Sequence, residues 1–341
     1  MERNAKVLTS IDRGMRVIEL GPSFGPVVPK REGWNAVAVD HATREELTEK
    51  YRHDPGVNTD NIEDVDIVWG AGRLEEFFPS DQLGSFDACI ASHVIEHIPD
   101  PIGLCKSLEL VLKPDGIFSL VIPDKRFCFD FFKQLSTVGE LLEAHERKAV
   151  RHSRRARYDF EAYSARSGGD HAWGQRPAMD MSLFLSLEEA KRRLDAHETD
   201  PASPYVDCHA WHFTPSSFEL AVLELSTIGE LDFRIVHSFP TEGFEFYVTL
   251  RRGRETLEPA ALEARRLDLL QKILVELREQ TDFLPIVIAA RAAGEDLLSA
   301  NQWRLRMTAA KIRMRVRART RLRSAAKNVR SRVRTTVRGL R

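Results

Sequence analysis

Short apolar runs alternate with helically spaced stretches over the first 125 residues, the pattern of strands and helices wound into a parallel sheet. Residues 16–20 read as a first strand, followed by the turn Gly21-Pro22-Ser23-Phe24-Gly25. Residues 36–40 form a second strand that ends on Asp40, and residues 66–69 supply a third. Residues 86–91 are mostly apolar and predict a fourth, buried strand. Helical spacing over 104–112, a turn at Lys113-Pro114-Asp115-Gly116 and a fifth strand over 117–122 complete this half.

The pattern then breaks. Residues from about 130 to 207 are polar, rich in Arg and His, and contain Gly168-Gly169-Asp170-His171, which predicts an insertion after the fifth strand. Order returns at Thr214-Pro215-Ser216-Ser217, a helix start with a first-turn proline. Residues 234–237 and 245–250 read as two strands with a turn around Pro240 and Gly243, an antiparallel hairpin at the sheet edge. Leu262, Arg266, Leu269, Ile273 and Leu277 share one helical stripe. They predict an amphipathic helix of about four to five turns, able to dock on the body or to pair with a second copy over 257–300. The expected division is a domain over 1–252, a helical segment over 253–302 and a tail over 303–341.

Charge adds a feature that hydropathy hides. The chain of 341 residues has a net charge of −1, yet residues 303–341 carry 15 Lys and Arg and no acid. Residues 1–302 therefore hold 35 basic against 51 acidic side chains. Such a cationic tail usually meets an anionic partner, or folds back on its own acidic body. Its alternating run from Lys311 to Arg323 suits an anionic membrane surface; nucleic acid is less favoured, because no aromatic follows Trp303 to stack on bases. The four cysteines lack C-x-x-C spacing, which argues against a zinc site or a disulfide framework. The apolar run at 283–290 is too short to span a bilayer, and residues 1–20 have no secretory h-region. A cytoplasmic protein, peripheral at most to the inner membrane surface, is expected.

The chemistry concentrates around Gly21. A glycine-bearing turn after the first strand, with an acid closing the second, builds a nucleoside site: glycine lets the backbone approach, and the acid accepts from ribose hydroxyls. A pyrophosphate would want several backbone N–H donors there, but Pro22 and Pro26 each remove one and the three-glycine fingerprint is absent. The turn therefore favours a methyl donor such as S-adenosylmethionine over a nicotinamide dinucleotide; an α/β turn that binds nothing is the remaining alternative.

Glu19-Leu20-Gly21-x-x-x-Gly25, then Val39-Asp40, residues 86–101 with Ile95-Glu96-His97-Ile98-Pro99-Asp100-Pro101, and Leu112-Lys113-Pro114-Asp115-Gly116 together resemble the class I S-adenosylmethionine-dependent methyltransferases. The last two pieces look most like the type-11, ubiquinone-biosynthesis-like branch. Pro123-Asp124-Lys125-Arg126 and residues 213–218 are similar to bacterial members found beside glycosyltransferases. The resemblance covers roughly 1–252. It implies a Rossmann-like, seven-stranded, mostly parallel sheet of order 3-2-1-4-5-7-6 and a cofactor site in which Gly21 and Gly25 line the methionine portion, with Glu19 beneath. Asp40 would hold the ribose, Gly72 and Arg73 would border the adenine, and Ser92 and His93 would face the sulfonium. An acid common near the Gly70–Leu74 loop in such enzymes is missing here.

Methyl transfer asks the protein to align an acceptor and, for a hydroxyl, to remove its proton. His93, Glu96 and His97 fall at i, i+3 and i+4, on one face if the segment is helical. A histidine beside a carboxylate makes a general base, and His97 with Glu96 are the expected catalytic pair. The triplet could instead hold a divalent ion, as in some quinone O-methyltransferases that look similar, although His93 stands where those carry an acid; or it could be structural. No metal is assigned. A second cluster, Asp207, His209 and His212 with His171 in the insertion, reads as acceptor contacts, or as polar groups satisfied where the insertion rejoins the core. The expected activity is O-methylation of a sugar, glycan or other small hydroxylated acceptor, against the alternatives of a silent scaffold recruited through the tail or an RNA methyltransferase.

Overall fold

The computed structural model describes residues 1–70, 72–174, 181–197 and 205–292. Strands β1 (Arg16–Leu20), β2 (Asn35–Asp40), β3 (Ile67–Val68), β4 (Phe86–Ser92) and β5 (Leu112–Pro123) run parallel. Three short strands, β6 (Ala165–Ser167), β7 (Asp170–His171) and β8 (Met181–Leu183), form a separate sheet inside the insertion. The hairpin β9 (Phe233–Glu242) and β10 (Glu245–Arg252) joins β5 antiparallel. The main sheet has the order β3-β2-β1-β4-β5-β10-β9, the expected arrangement once the insertion's strands are numbered.

Alternation along the strands explains two cores. Ile18, Leu20, Cys89, Ala91, Phe118 and Leu120 point into one apolar cluster, while Val17, Ala88, Ile90, Ile117 and Val121 point into the other. The first is covered by α3 (Pro101–Val111) and α7 (Pro215–Thr227), the second by α1 (Arg3–Val7) and the segment around Val27 and Trp34. With both faces covered, the middle of a central strand must be apolar on both sides, as Ala88–Ala91 of β4 are. All four cysteines are buried and free.

Several boundaries differ from the sequence reading for identifiable reasons. Lys113 to Gly116 is not a turn but a bulge inside β5: Phe86 pairs with Leu112 and Ala88 with Ile117, so the extra residues bow out beside Asp87, which holds Lys113 Nζ at 2.6 Å. The hairpin turn sits at Gly243, with φ +66°, while Pro240 lies in β9 beside a register shift where no ladder N–H is needed. The insertion carries helices α4 (Val138–Glu146), α5 (Arg154–Tyr163) and α6 (Leu187–Asp195) and is anchored by the buried Phe127, Phe129 and Phe131. α2 (Arg44–Tyr51) follows β2 behind a Thr43–Glu46 capping box.

Helix α8 (Pro259–Thr281) is 23 residues long, and its predicted stripe is the face it buries, with Leu269 fully covered. It docks on α7, where Arg266 pairs with Glu224 at 2.8 Å and Ser216 Oγ donates to Glu276 at 2.8 Å. One compact unit spans Met1–Thr281. A further helix, α9 (Pro285–Ala292), belongs to the second unit. Among the described residues no helix is long and apolar enough to cross a membrane. The tail, 303–341, lies outside the described residues.

Candidate active site

The carboxyl ends of β1, β2 and β4 meet where the strand order reverses, the usual ligand position in an open α/β sheet. The loop after β1 is tied down from beneath. The Glu19 carboxylate accepts from the backbone N–H of Val27 at 2.6 Å and of Val28 at 3.1 Å. Burial pushes its pKa up to about 7 against the pull of those two bonds. Glu19 therefore holds the loop's shape, which refines its expected place beneath a ligand.

Three more of the loop's donors are also engaged. Gly21 N–H reaches Val39 O at 2.8 Å, Ser23 N–H reaches Asp40 Oδ2 at 3.0 Å, and Gly25 N–H reaches Pro22 O at 2.9 Å. Pro22 and Pro26 have no N–H to give. A pyrophosphate would find almost no donors here, whereas a phosphate-free nucleoside needs none. Gly21 sits at φ +62°, and a Cβ there would come within 2.8 Å of Val94 Cγ2, so only glycine keeps this cradle open. Ser23, itself left-handed at φ +45°, carries a buried Oγ with no hydrogen-bond partner. Asp40 is buried beside it, with Oδ1 accepting from the His41 N–H at 2.7 Å. An open glycine cradle, an orphaned hydroxyl and a buried acid at the strand ends fit the ribose and amino-acid portions of an adenosyl ligand.

The other expected cofactor contacts are placed less uniformly. The Gly72 carbonyl accepts from Trp69 Nε1 at 3.1 Å. Arg73 pairs with Glu75 and is largely exposed. Ser92 Oγ accepts from Arg3 of α1 at 2.8 Å. His93 adopts φ +54°, a strained left-handed conformation for a non-glycine residue, and its Nε2 lies 2.7 Å from Glu245 Oε2.

Past β4 the chain makes a single tight turn over residues 95–97, not an α-helix, and the turn still brings His93 and His97 to Glu96. Glu96 is fully buried, and neither of its carboxylate oxygens has a hydrogen-bond partner. Around Oε1 stand His93 Nδ1 at 3.5 Å, His97 Nε2 at 3.8 Å and His209 Nε2 at 4.0 Å. His97 Nδ1 is 2.7 Å from Asp207 Oδ1, and His209 Nδ1 is 2.6 Å from Asp130 Oδ2. Burial works to lower the His97 pKa, but the Asp207 hydrogen bond and the charge of Glu96 override it and raise it. For His209 burial wins over Asp130 and the pKa falls. Asp130 and Asp207 both stay well below the usual carboxylate range; burial opposes this, but their imidazole partners outweigh it.

His209 reaches this place because its segment is sewn to the turn. Ala210 N–H donates to Glu96 O at 2.8 Å, Trp211 Nε1 to Ile98 O at 2.6 Å, and Tyr205 Oη to His97 O at 3.1 Å. Phe129 lies 4.4 Å from the His209 ring and 5.0 Å from Trp173, which in turn packs 4.7 Å from Phe244. These rings wall the side next to His93. His171, in β7, is exposed and stacks against Phe129, at 5.0 Å. His212 faces Asp130 and not Glu96. It is buried behind Asp130, 3.9 Å from Oδ1, and burial pushes it down to about 3 despite that acid.

Asp130, Glu245, Trp173 and Phe244 escape a sequence reading. Asp130 left one signal, as the lone acid among Phe127, Phe129, Phe131 and Phe132. Glu245, whose carboxylate takes His93, Arg3 and Tyr247 and is held down to about 2 by them against burial, opens an ordinary-looking strand, β10.

The family model Methyltransf_23, a methyltransferase domain, matches residues 2–198. No curated protein matches the chain. Among solved structures, an S-adenosylmethionine dependent methyltransferase from Mesorhizobium loti is 15% identical over 73% of this chain and 95% of its own, with a TM-score of 0.37. A SAM dependent methyltransferase from Aquifex aeolicus is 13% identical over 73% of this chain and 89% of its own, with a TM-score of 0.35. Likenesses this distant carry nothing about chemistry.

Proposed function

Because the chain belongs to the methyltransferase-domain family Methyltransf_23, we propose that it moves the methyl group of S-adenosylmethionine onto a hydroxyl oxygen of a sugar, glycan or other small hydroxylated acceptor. The observation that carries the reading is the pairing of two adjacent features at the strand ends. One is a nucleoside cradle whose amides are already engaged; the other is a polar cluster at Glu96 with aromatic walls. Hydroxyls find hydrogen-bonding partners in the imidazoles and carboxylate, and a ring finds apolar faces at Phe129, Trp173 and Phe244.

S-adenosylmethionine, when bound, supplies a methyl group already activated on a positively charged sulfur. The chain's own work is to hold and to deprotonate. Asp40 accepts from the ribose hydroxyls, Ser23 Oγ gains the partner it lacks, and Gly21 and Gly25 let the backbone lie against the methionine portion. Glu19 keeps the loop in that shape. Ser92 and His93 border the cradle on the side of the Glu96 cluster. The Asp207 carboxylate fixes the hydrogen of His97 on Nδ1, so the neutral ring presents its lone pair at Nε2, toward Glu96. That lone pair and the unpartnered Glu96 oxygens are where the acceptor hydroxyl docks and gives up its proton.

Isothermal titration with S-adenosylmethionine, S-adenosylhomocysteine and NADH tests the reading, with binding expected for the first two alone. NADH binding, or no adenosyl binding, would sink it. His97→Ala should cut turnover by about 100-fold, the usual scale of general-base catalysis, with S-adenosylhomocysteine affinity unchanged. Full activity in that variant would remove His97 from the mechanism.

A further inference from the structure

Helix α8 carries more apolar side chains than its docking face needs. The inner face lays Leu262, Leu269 and Ile273 on α7, where Arg266 holds Glu224 at 2.8 Å and Ser216 Oγ donates to Glu276 at 2.8 Å. The C-terminal end of the helix is fastened again where the insertion begins: Arg126 pairs with Glu279 at 2.8 Å, and Lys125 Nζ donates to Gln280 Oε1 at 3.0 Å. At 3.6 residues per turn, Leu267, Leu270 and Leu274 fall on the outward side, with Val275 at its margin. They are 55%, 46%, 68% and 56% exposed. Single exposed leucines are ordinary on a protein surface. A contiguous group of four over two turns, on a helix anchored along its length, marks a surface that meets a partner.

The residues at the ends of the stripe identify that partner. Glu263 stands one turn before Leu267 and Arg278 one turn after Leu274, and both are exposed. The outward side therefore reads acid, leucine, leucine, leucine, base: Glu263, Leu267, Leu270, Leu274 and Arg278. Turned end for end about a point between Leu270 and Gln271, this row matches itself, with position 267 on 274 and position 263 on 278. Leucine then meets leucine on both sides of the centre, and a carboxylate meets a guanidinium at both outer turns. Such self-complementarity is what a two-fold contact between identical surfaces requires. A copy laid parallel would set Glu263 on Glu263 and Arg278 on Arg278. Ala260 and Ala264, on the same side, let the two backbones approach. A stripe meant for an anionic membrane would be rimmed by bases at both ends, and Glu263 is an acid.

We propose that the outward face of α8 is the contact between two copies of this chain, packed antiparallel about a two-fold axis beside Leu270 and Gln271. The leucines of the two stripes cover one another, and each Glu263 pairs with Arg278 of the second copy. From Glu263 to Arg278 the face runs about 22 Å along the helix. That is small beside the roughly 800 Å² per partner of a standard stable interface, so monomer and dimer exchange and their proportion follows concentration.

The test uses nuclease-treated full-length protein, with its mass followed by sedimentation velocity across two decades of concentration. The expected result is a monomer that becomes a dimer as concentration rises. Leu274→Glu, at an exposed position, should keep its helical circular dichroism and stay monomeric throughout. Glu263→Arg, which sets two guanidinium groups against each other at each end, should weaken association by about tenfold, and adding Arg278→Glu should restore it. Gln271→Cys, next to the axis, should link two copies by a disulfide under mild oxidation. Ala260→Cys, about 30 Å from its own counterpart in this packing, should not. A wild type that is monomeric at every concentration, or association unchanged in Leu274→Glu, would overturn the interface. Crosslinking through Ala260→Cys as efficient as through Gln271→Cys, or no rescue by Arg278→Glu, would overturn the antiparallel packing. A monomeric wild type whose binding to phosphatidylglycerol vesicles is lost in Leu274→Glu would give the face to a membrane instead.

Discussion

Asp40 shows how far a single residue can be read from sequence. An acid closing the second strand, nineteen positions beyond a glycine turn, is a pattern with a physical reason, and Asp40 is buried beside Ser23 and the loop as that reason requires. Asp40→Ala removes the acceptor for two ribose hydroxyls and frees the Ser23 amide, each an unpaired group worth about 1 to 3 kcal/mol. S-adenosylhomocysteine affinity should fall by at least about tenfold, and calorimetry showing no change would contradict the assignment. Glu96 is the opposite case. Its number was legible from the segment's likeness, but its burial and unpartnered oxygens were not, because burial is a property of what packs around a residue. His212 illustrates the same limit: next in line to His209 on the chain, it points into the core behind Asp130.

At the scale of elements, strands and amphipathic faces were the readable part. The stripe through Leu262, Leu269 and Ile273 is the face that α8 lays on α7, while Leu267, Leu270, Leu274 and Val275 of the same helix stay exposed. Leu269→Ala should destabilise the protein by about 2 to 5 kcal/mol in urea unfolding, as for other fully buried leucines. A loss under 0.5 kcal/mol would mean that α8 is not docked in solution. The turn at Lys113 to Gly116 was misplaced because Pro-Asp-Gly signals a break whether the chain reverses or only bulges; which happens depends on the partner strand. The insertion was the least legible element. Its core role comes from a few phenylalanines, and its return segment matters through hydrogen bonds from residues 205–211 to the backbone carbonyls of 96–98, contacts more than a hundred residues apart that no local pattern encodes.

The molecule as a whole shields several imidazoles from water, and this sets a pH dependence. Burial pushes His152 down to about 4 against the pull of Asp207, and His212 to about 3 against Asp130. The unfolded chain takes up these protons below about 6.5, the folded chain only much lower, so stability is complete above pH 6.5 and falls as the pH drops from there toward 4. For His152, shifted from 6.5 to about 4, the loss is about 3 kcal/mol. Thermal melts from pH 7 to pH 4 should fall steadily, and less steeply in His152→Gln. A flat wild-type profile, or equal slopes, would show that His152 is hydrated.

Sequence by itself determined the sheet, its cofactor end and the class of chemistry. Strand alternation, a glycine turn and a strand-closing acid are local arrangements, and the energy that favours each is settled within a few residues. Only the tertiary structure decided what surrounds Glu96. The three histidines come from the end of β4 and from the segment that returns after the insertion, and their carboxylate partners from the insertion, that segment and strand β10. A buried charge is set by the sum of its neighbours, and those neighbours meet only when the sheet and the insertion have closed on each other.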